Sequence, residues 1–132
     1  MGKFAVVEKK FEYKGHECIC IFNYMGFRCG YVSVRNAKHY YDYDIDCHGG
    51  LTFSDSLTEE YEPKHAFYIG FDCGHFCDGQ DKEQAYKYGL LTKEEYRLFN
   101  IMPSYGGGVR TLEYVEEQCK SIVEQLENQG EL

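Results

Sequence analysis

The C-terminal segment carries the most regular apolar pattern in the sequence. Thr111 is a residue type that caps helices through its side-chain oxygen, and Glu113 falls in the first turn, where a negative charge complements the helix dipole. Apolar side chains then recur at helical spacing, at Leu112, Val115, Cys119, Ile122, Val123 and Leu126. The pattern predicts an amphipathic helix that lays this stripe across a sheet, followed by a frayed tail over 128–132.

The N-terminal part of the chain is rich in aromatic and β-branched residues, which is typical of strands. Phe4–Tyr13 and Glu17–Tyr24 flank the turn signal Lys14-Gly15, and Arg28–Val34 follows a second turn at Met25–Phe27. Both faces of Glu17–Tyr24 are largely apolar, which predicts a central strand that is covered on both sides. These segments predict a three-stranded meander, and Gly30 indicates a close approach of the backbone to a neighbour.

The middle of the chain gives weaker signals. Two more strands are predicted, at Asp44–His48 and Ala66–Cys73, joined by an exposed acidic connection over Ser54–Lys64. The segment after Gly79 is predicted to be irregular up to Leu91. A capping box at Thr92 and Glu95 then predicts a short helix from Lys93 to about Asn100.

Length and composition define the fold class that these elements build. A chain of 132 residues is long enough to bury a core, so one domain over residues 1–132 is expected. With 13 Tyr, 9 Phe and no Trp, much of the core volume must be aromatic, which favours sheet. The prediction is an α+β fold, with an antiparallel sheet of about five or six strands and the C-terminal helix packed on one face.

The charge balance and the cysteines narrow the class of function. The formal charge of −8 argues against direct nucleic-acid binding, which needs clustered Lys and Arg, and suits a basic partner surface. Seven cysteines without a secretory signal are typical of a reducing compartment, so a cytoplasmic protein is expected. No apolar run approaches the roughly 20 residues of a membrane span, so no membrane association is expected.

A polar cluster is predicted between the two middle strands. If they are neighbours in register, Asp46, His48, Asp72 and His75 converge, and Asp78 lies close enough in sequence to join them. Histidines with carboxylates are the donor set that binds zinc, manganese or iron in a hydrolytic or oxidative centre, with His48, His75 and Asp72 as the candidate ligands. The alternative is that these groups hydrogen-bond one another and cap turns, with no cofactor, and this alternative is favoured.

Two further candidate sites are less specific. Cys47 or Cys73 could act as a nucleophile with a neighbouring histidine as base, although both fall on the apolar side of their strands, which favours buried structural cysteines. The glycine-rich segment before the last helix offers backbone N–H groups and a guanidinium to a small anion. Its candidate residues are Gly107, Gly108, Arg110 and Thr111, and a flexible hinge is the equally favoured alternative.

A last candidate is an exposed face of aromatic residues among acids, of the kind that binds proteins, with a solvated loop as the alternative. Its residues are Tyr40, Tyr41, Tyr43 and Tyr61 with Asp42, Asp44, Glu59, Glu60 and Glu62.

Four segments of the chain resemble, in the same order, a family of small uncharacterised proteins from bacteriophages, prophages and bacteria. They are Cys29–Val32, Asp44–Phe53 with its His-Gly-Gly-Leu-Thr motif, Gly70–His75 with Gly-Phe-Asp-Cys-x-His, and Arg110–Val115. The resemblance implies no activity. It does imply that His48, Asp72, Cys73 and His75 belong to the sequence pattern of the family.

This resemblance shapes the functional prediction, because small acidic phage proteins often inhibit host systems by presenting complementary charge. The first prediction is a non-enzymatic accessory protein of a phage or mobile element that binds a host protein or a small ligand in the bacterial cytoplasm, for example as an inhibitor of host defence. The alternative is a metal-dependent hydrolase centred on His48, Asp72 and His75.

Overall fold

The computed structural model describes residues 4–56, 67–75, 78–102 and 107–130. Five strands in these residues form one antiparallel sheet, namely β1 (Ala5–Tyr13), β2 (His16–Asn23), β3 (Arg28–Val34), β4 (Phe53–Ser56) and β5 (Phe67–Asp72). Their order across the sheet is β1-β2-β3-β5-β4. The helices are α1 (Lys82–Lys87), α2 (Lys93–Ile101) and α3 (Leu112–Asn128), with a short 3-10 helix at Tyr40–Asp42. The predicted α+β class is confirmed.

The predicted meander of β1, β2 and β3 is present. Lys14 and Gly15 have φ angles of 49° and 82°, the left-handed conformation that a tight hairpin turn requires. Gly30 makes the close approach expected from its position in β3, because a Cβ atom there would lie 2.6 Å from the ring of Phe71. Any side chain at residue 30 would therefore displace the β5 neighbour.

Helix α3 packs its apolar stripe on one face of the sheet, as predicted. Cys18 and Cys20 of β2 face this helix, whereas Ile19 and Ile21 pack on the opposite face beside Tyr68. Helix α3 and three strands contribute the residues that are fully or almost fully buried in the layer between the helix and the sheet. They include Val115, Cys119, Ile122, Val123, Leu126, Val32, Ile69 and Phe71. Burying each such side chain contributes about 1.5–3 kcal/mol, so this layer supplies much of the stability of the fold.

Two short helices close one end of the sheet. Phe22, Ala85 and Leu90 form their buried contact, and the predicted capping box of α2 is present at Thr92 and Glu95. The prediction of an irregular segment over residues 79–91 is wrong, because α1 occupies Lys82–Lys87. This helix spans 6 residues, too few for a periodic apolar signal, and its formation depends on burying Ala85. No helix in the part of the chain described here has the length and apolar character needed to cross a membrane.

The predicted strand at Asp44–His48 is also wrong. The alternation itself holds, since Tyr43, Ile45 and Cys47 pack on the core while Asp44 and Asp46 are exposed. In the described part of the chain this segment pairs with no strand, and its neighbour is α3. The fourth strand instead lies at Phe53–Ser56 and overlaps the start of the predicted exposed connection over Ser54–Lys64, whose residues 57–64 lie outside those described.

Side chains of α3 take the place of a strand partner for this segment. The amide of Gln125 donates to the carbonyl of Asp46 and accepts from its N–H, both at 2.7 Å. The side chain of Gln118 accepts from the N–H of His48 at 2.8 Å, and that of Gln129 donates to the carbonyl of Asp44 at 2.6 Å. Because these hydrogen bonds satisfy the backbone, the segment lies along the helix and ends with His48 near the start of α3.

Candidate functional site

Asp78 lies at the centre of a group of polar side chains from three parts of the chain, and its own side chain is completely buried. Its Oδ2 atom lies 2.9 Å from Nε2 of His48 and 3.2 Å from Nδ1 of His75, and it also accepts the backbone N–H of His75 at 3.1 Å. Its Oδ1 atom accepts a hydrogen bond from Nε of Arg110 at 2.9 Å. The carboxylate therefore joins the β5 end, the segment after the 3-10 helix and the start of α3.

These contacts determine the protonation of Asp78. Burial raises its pKa, but the hydrogen bonds from His48, Arg110 and the backbone of His75 outweigh burial and lower the pKa to about 2. The group is therefore an ionised carboxylate at neutral pH, held by charged and polar donors inside the protein.

His48 is held from both sides of its ring. Its Nδ1 atom lies 2.8 Å from the hydroxyl of Tyr114, opposite the contact of Nε2 with Asp78. The two rings meet edge to face, with centroids 5.4 Å apart. A tyrosine hydroxyl can donate or accept, so it suits either tautomer of the imidazole.

His75 lies between two carboxylates. Its Nδ1 atom faces Asp78, and its Nε2 atom lies 3.7 Å from Oδ1 of Asp72, which itself accepts hydrogen bonds from Thr52 and the N–H of Gly74. Gly49 packs directly on the imidazole, since a Cβ atom there would lie 2.2 Å from Cε1 of His75. The ring is about one-third exposed, so solvent reaches this side of the group.

Three of these residues present metal-ligating atoms to one another. Among the described residues, His48, His75 and Asp78 form a group that could hold a metal ion, with one ligand atom of each within 4.8 Å of the others. We call these three residues the His/Asp cluster.

The structure brings some of the residues predicted for this site together and separates others from them. His48 and His75 meet, as expected, with ring centroids 5.5 Å apart. Asp72 lies beside His75 rather than between the two histidines, and Asp78 takes the central position. The side chain of Asp46 is exposed, and the backbone of this residue is bound to Gln125, so it takes no part in the cluster.

The two candidate nucleophiles have the features of structural thiols. Cys73 is completely buried, and burial together with Asp78 and Asp72 raises the pKa of its thiol to about 12. Burial and Asp46 raise the pKa of the Cys47 thiol to about 12 as well. Because only the thiolate is nucleophilic, neither residue is prepared for covalent catalysis at neutral pH.

In the segment before α3, the guanidinium of Arg110 binds the carboxylate of Asp78. Arg110 pairs with Asp78 and lies over the ring of Tyr114, and Thr111 uses its hydroxyl to cap the N–H of Tyr114. The carbonyl of Gly108 accepts from the N–H of Gly79, and Gly107 packs against the same residue. Binding of an external anion by Gly107, Gly108, Arg110 and Thr111 stays a prediction.

The predicted aromatic and acidic face is only partly described. Tyr41 is 80% exposed, whereas Tyr43 packs partly on the core. Tyr61, Glu59, Glu60 and Glu62 lie outside the described residues, so this face stays a prediction.

Sequence reasoning missed the two α3 residues that position His48. Tyr114 and Gln118 are four residues apart and share one helix face with Ser121 and Gln125. This polar stripe runs beside the apolar one, so its helical spacing was a signal that could have pointed to a segment bound along α3.

No protein-family model matches the chain, and neither a curated protein nor a solved structure matches it. The resemblance to a phage and bacterial family therefore stays a prediction.

Proposed function

We propose that the protein binds a divalent transition-metal ion, with zinc as the best fit, through His48, His75 and Asp78, and that this centre performs hydrolysis. The observation that carries the proposal is the convergence of Nε2 of His48, Nδ1 of His75 and Oδ2 of Asp78. Asp78 replaces Asp72 as the carboxylate ligand of the metal-dependent hydrolase that is the alternative prediction from the sequence.

Two of the three distances between these atoms are close to those between the ligands of a tetrahedral ion, and the third, between the two histidines, is within 4.8 Å. Two ligands bound at about 2.0–2.1 Å in tetrahedral geometry lie about 3.3 Å apart. Oδ2 of Asp78 lies 2.9 Å from Nε2 of His48 and 3.2 Å from Nδ1 of His75, so small side-chain shifts would open the cluster to an ion.

Each ligand is supported at its other end. Tyr114 contacts the second nitrogen of His48, Asp72 faces the second nitrogen of His75, and Arg110 binds the second oxygen of Asp78. Partners of this kind fix the orientation of metal ligands, and their loss weakens metal affinity about 10–100-fold.

Charge and coordination number both suit a reactive centre. Among the described residues that contact the histidines directly or through Asp78, the two carboxylates of Asp72 and Asp78 outweigh the guanidinium of Arg110, which favours a cation near the histidines. Three protein ligands leave a fourth position for water, and a bound divalent ion lowers the pKa of that water enough to make a nucleophile at neutral pH. His75 is the most exposed ligand, so the open position is expected on its side.

The decisive experiment measures the metal content of protein purified without a histidine tag or chelator, by elemental mass spectrometry. We expect close to one equivalent of zinc, manganese or iron, and a lower Tm after chelation. His75→Ala removes the most exposed ligand and is expected to lower metal affinity at least tenfold while the protein stays folded. His39→Ala is the matched control, because His39 is exposed and lies outside the cluster.

Metal-free protein with a Tm that chelator and added zinc leave unchanged would contradict the proposal. It would instead support a hydrogen-bonded cluster whose role is to join α3 to the sheet.

A separate experiment tests whether the metal centre catalyses hydrolysis. The metal-loaded protein, His75→Ala and His39→Ala would be compared on chromogenic phosphate and carboxylate esters. Hydrolysis that rises with metal occupancy and is lost in His75→Ala but not in His39→Ala supports a hydrolase. Full metal occupancy without turnover would support metal binding and contradict catalysis.

Two expectations from the sequence remain open beside this proposal. A non-enzymatic accessory role of a phage or mobile element, through binding of a host protein, stays a prediction. So does a cytoplasmic location.

A further inference from the structure

An apolar groove lies between α2 and the turn that joins β2 to β3. It is lined mainly by Tyr24 and Met25 on one side and by Leu98, Phe99 and Met102 on the other, with a volume of about 360 Å³. Leu98 is 55% exposed and Met102 60% exposed, so the groove is open to solvent.

Helix α2 is apolar on two sides. Tyr96 and Phe99 face inward and pack on the buried cluster around Phe22, whereas Leu98 and Ile101 point away from it. Ile101 is 76% exposed. Exposed apolar residues that line a groove mark an interaction site more often than scattered ones do. Methionines such as Met25 and Met102 adapt their shape to an incoming apolar surface.

Charge distinguishes between the possible occupants. Among the described residues that line the groove, Glu95 is the charged one, and the whole chain carries a formal charge of −8. A second copy would bring the same negative charge, which opposes self-association, whereas a basic partner gains from it. An apolar groove along a helix fits the apolar face of another helix, which enters it with side chains spaced three and four residues apart.

We propose that this groove binds an amphipathic helix of another protein, whose apolar face contacts Leu98, Phe99 and Met102 and whose flanks carry Lys or Arg. The proposal does not depend on metal binding, because none of these residues belongs to the His/Asp cluster.

The test uses three designed peptides and measures binding by fluorescence anisotropy. The first is a Leu/Lys amphipathic helix, the second has Glu in place of Lys, and the third is a scrambled Leu/Lys sequence of the same composition. We expect the first to bind clearly more tightly than the other two, and we expect its binding to be unchanged by chelator.

Protein variants locate the binding. Leu98→Asp places a charge in the groove at an exposed position and is expected to weaken binding at least tenfold. Tyr41→Asp is the matched control, because Tyr41 is more exposed than Leu98 and lies on the 3-10 helix. Glu95→Gln removes the charge but keeps a residue type that serves a capping box, and is expected to weaken binding about two- to fivefold, with a smaller salt dependence.

Four outcomes would overturn the proposal. Equal binding of the Leu/Lys and scrambled peptides would show that charge alone acts, and equal losses in Leu98→Asp and Tyr41→Asp would show that the peptide does not bind in the groove. Lack of binding by the Leu/Lys peptide would exclude a basic helix. A dimer in sedimentation experiments that Leu98→Asp dissociates would assign the groove to a second copy of the chain.

Discussion

The Nε2 atom of His48 lies 2.9 Å from the Oδ2 atom of Asp78, although 30 residues separate them in the chain. Arg110, 32 residues beyond Asp78, binds the other oxygen of the same carboxylate. One buried carboxylate thus joins the segment along α3, the end of β5 and the start of α3. Any change at this carboxylate acts on stability and on the proposed metal centre together.

Acid should destabilise the metal-free protein through Asp78. The folded state lowers the pKa of this group from 3.8 to about 2, so between these values the folded protein binds fewer protons than the unfolded chain. The resulting contribution of about 2 kcal/mol is fully present above about pH 4 and is lost as the pH falls through 2. Urea unfolding of chelator-treated protein from pH 2 to pH 6 measures it.

The variant Asp78→Asn cannot show this pH dependence and should be about 2 kcal/mol less stable at pH 7, since it removes the carboxylate whose lowered pKa supplies that contribution. Asp46→Asn is the control, because the side chain of Asp46 is exposed and outside the cluster. Parallel pH profiles for the wild type and Asp78→Asn would contradict the assignment.

Two neighbouring glycines separate backbone strain from displacement of His75. Gly49 and Gly50 both have positive φ, at 68° and 79°, so alanine at either position costs about 1 kcal/mol in backbone strain. Only at Gly49 would the added Cβ atom collide with the ring of His75; at Gly50 it meets nothing within 4 Å. We expect Gly49→Ala to lose further stability and at least tenfold in zinc affinity, measured by calorimetric titration. Equal zinc affinities for the two variants would show that the position of His75 does not matter for metal binding.

Tyr114→Phe tests the support of His48. Loss of the hydroxyl removes the partner of Nδ1, and we expect a stability loss of about 1 kcal/mol together with a 10–100-fold loss of zinc affinity. Tyr68→Phe is matched to it, because Tyr68 loses a hydroxyl hydrogen bond to Glu17 on the opposite face of the sheet. A similar zinc affinity in both variants would reduce the role of Tyr114 to packing.

The thiol of Cys47 should be almost inert in the folded protein. With its pKa raised to about 12, its thiolate fraction at pH 8 is about three orders of magnitude below that of an ordinary cysteine. Alkylation of Cys47, followed by peptide mass spectrometry, should be slower by a similar factor than in urea-unfolded protein. Rapid labelling in the folded state would restore the nucleophile hypothesis.

Local and periodic features of the sequence predicted much of the fold. The stripe from Leu112 to Leu126, the turn at Lys14-Gly15 and the capping box at Thr92 each depend on neighbours within a few residues, and the structure contains all three. The alternation of Tyr43, Ile45 and Cys47 also gave the correct buried side.

The sequence by itself thus determined the α+β class and the helices and strands that follow from the spacing of apolar residues. It also determined that two histidines have carboxylates nearby. Only the tertiary structure decided that Asp44–His48 binds along α3 through Gln118 and Gln125, and that Asp78 rather than Asp72 lies between the histidines. The physical reason is that these contacts join residues far apart in the chain. Alternation specifies which face of a segment is buried, but it does not specify whether a strand or a helix supplies the hydrogen bonds of its backbone.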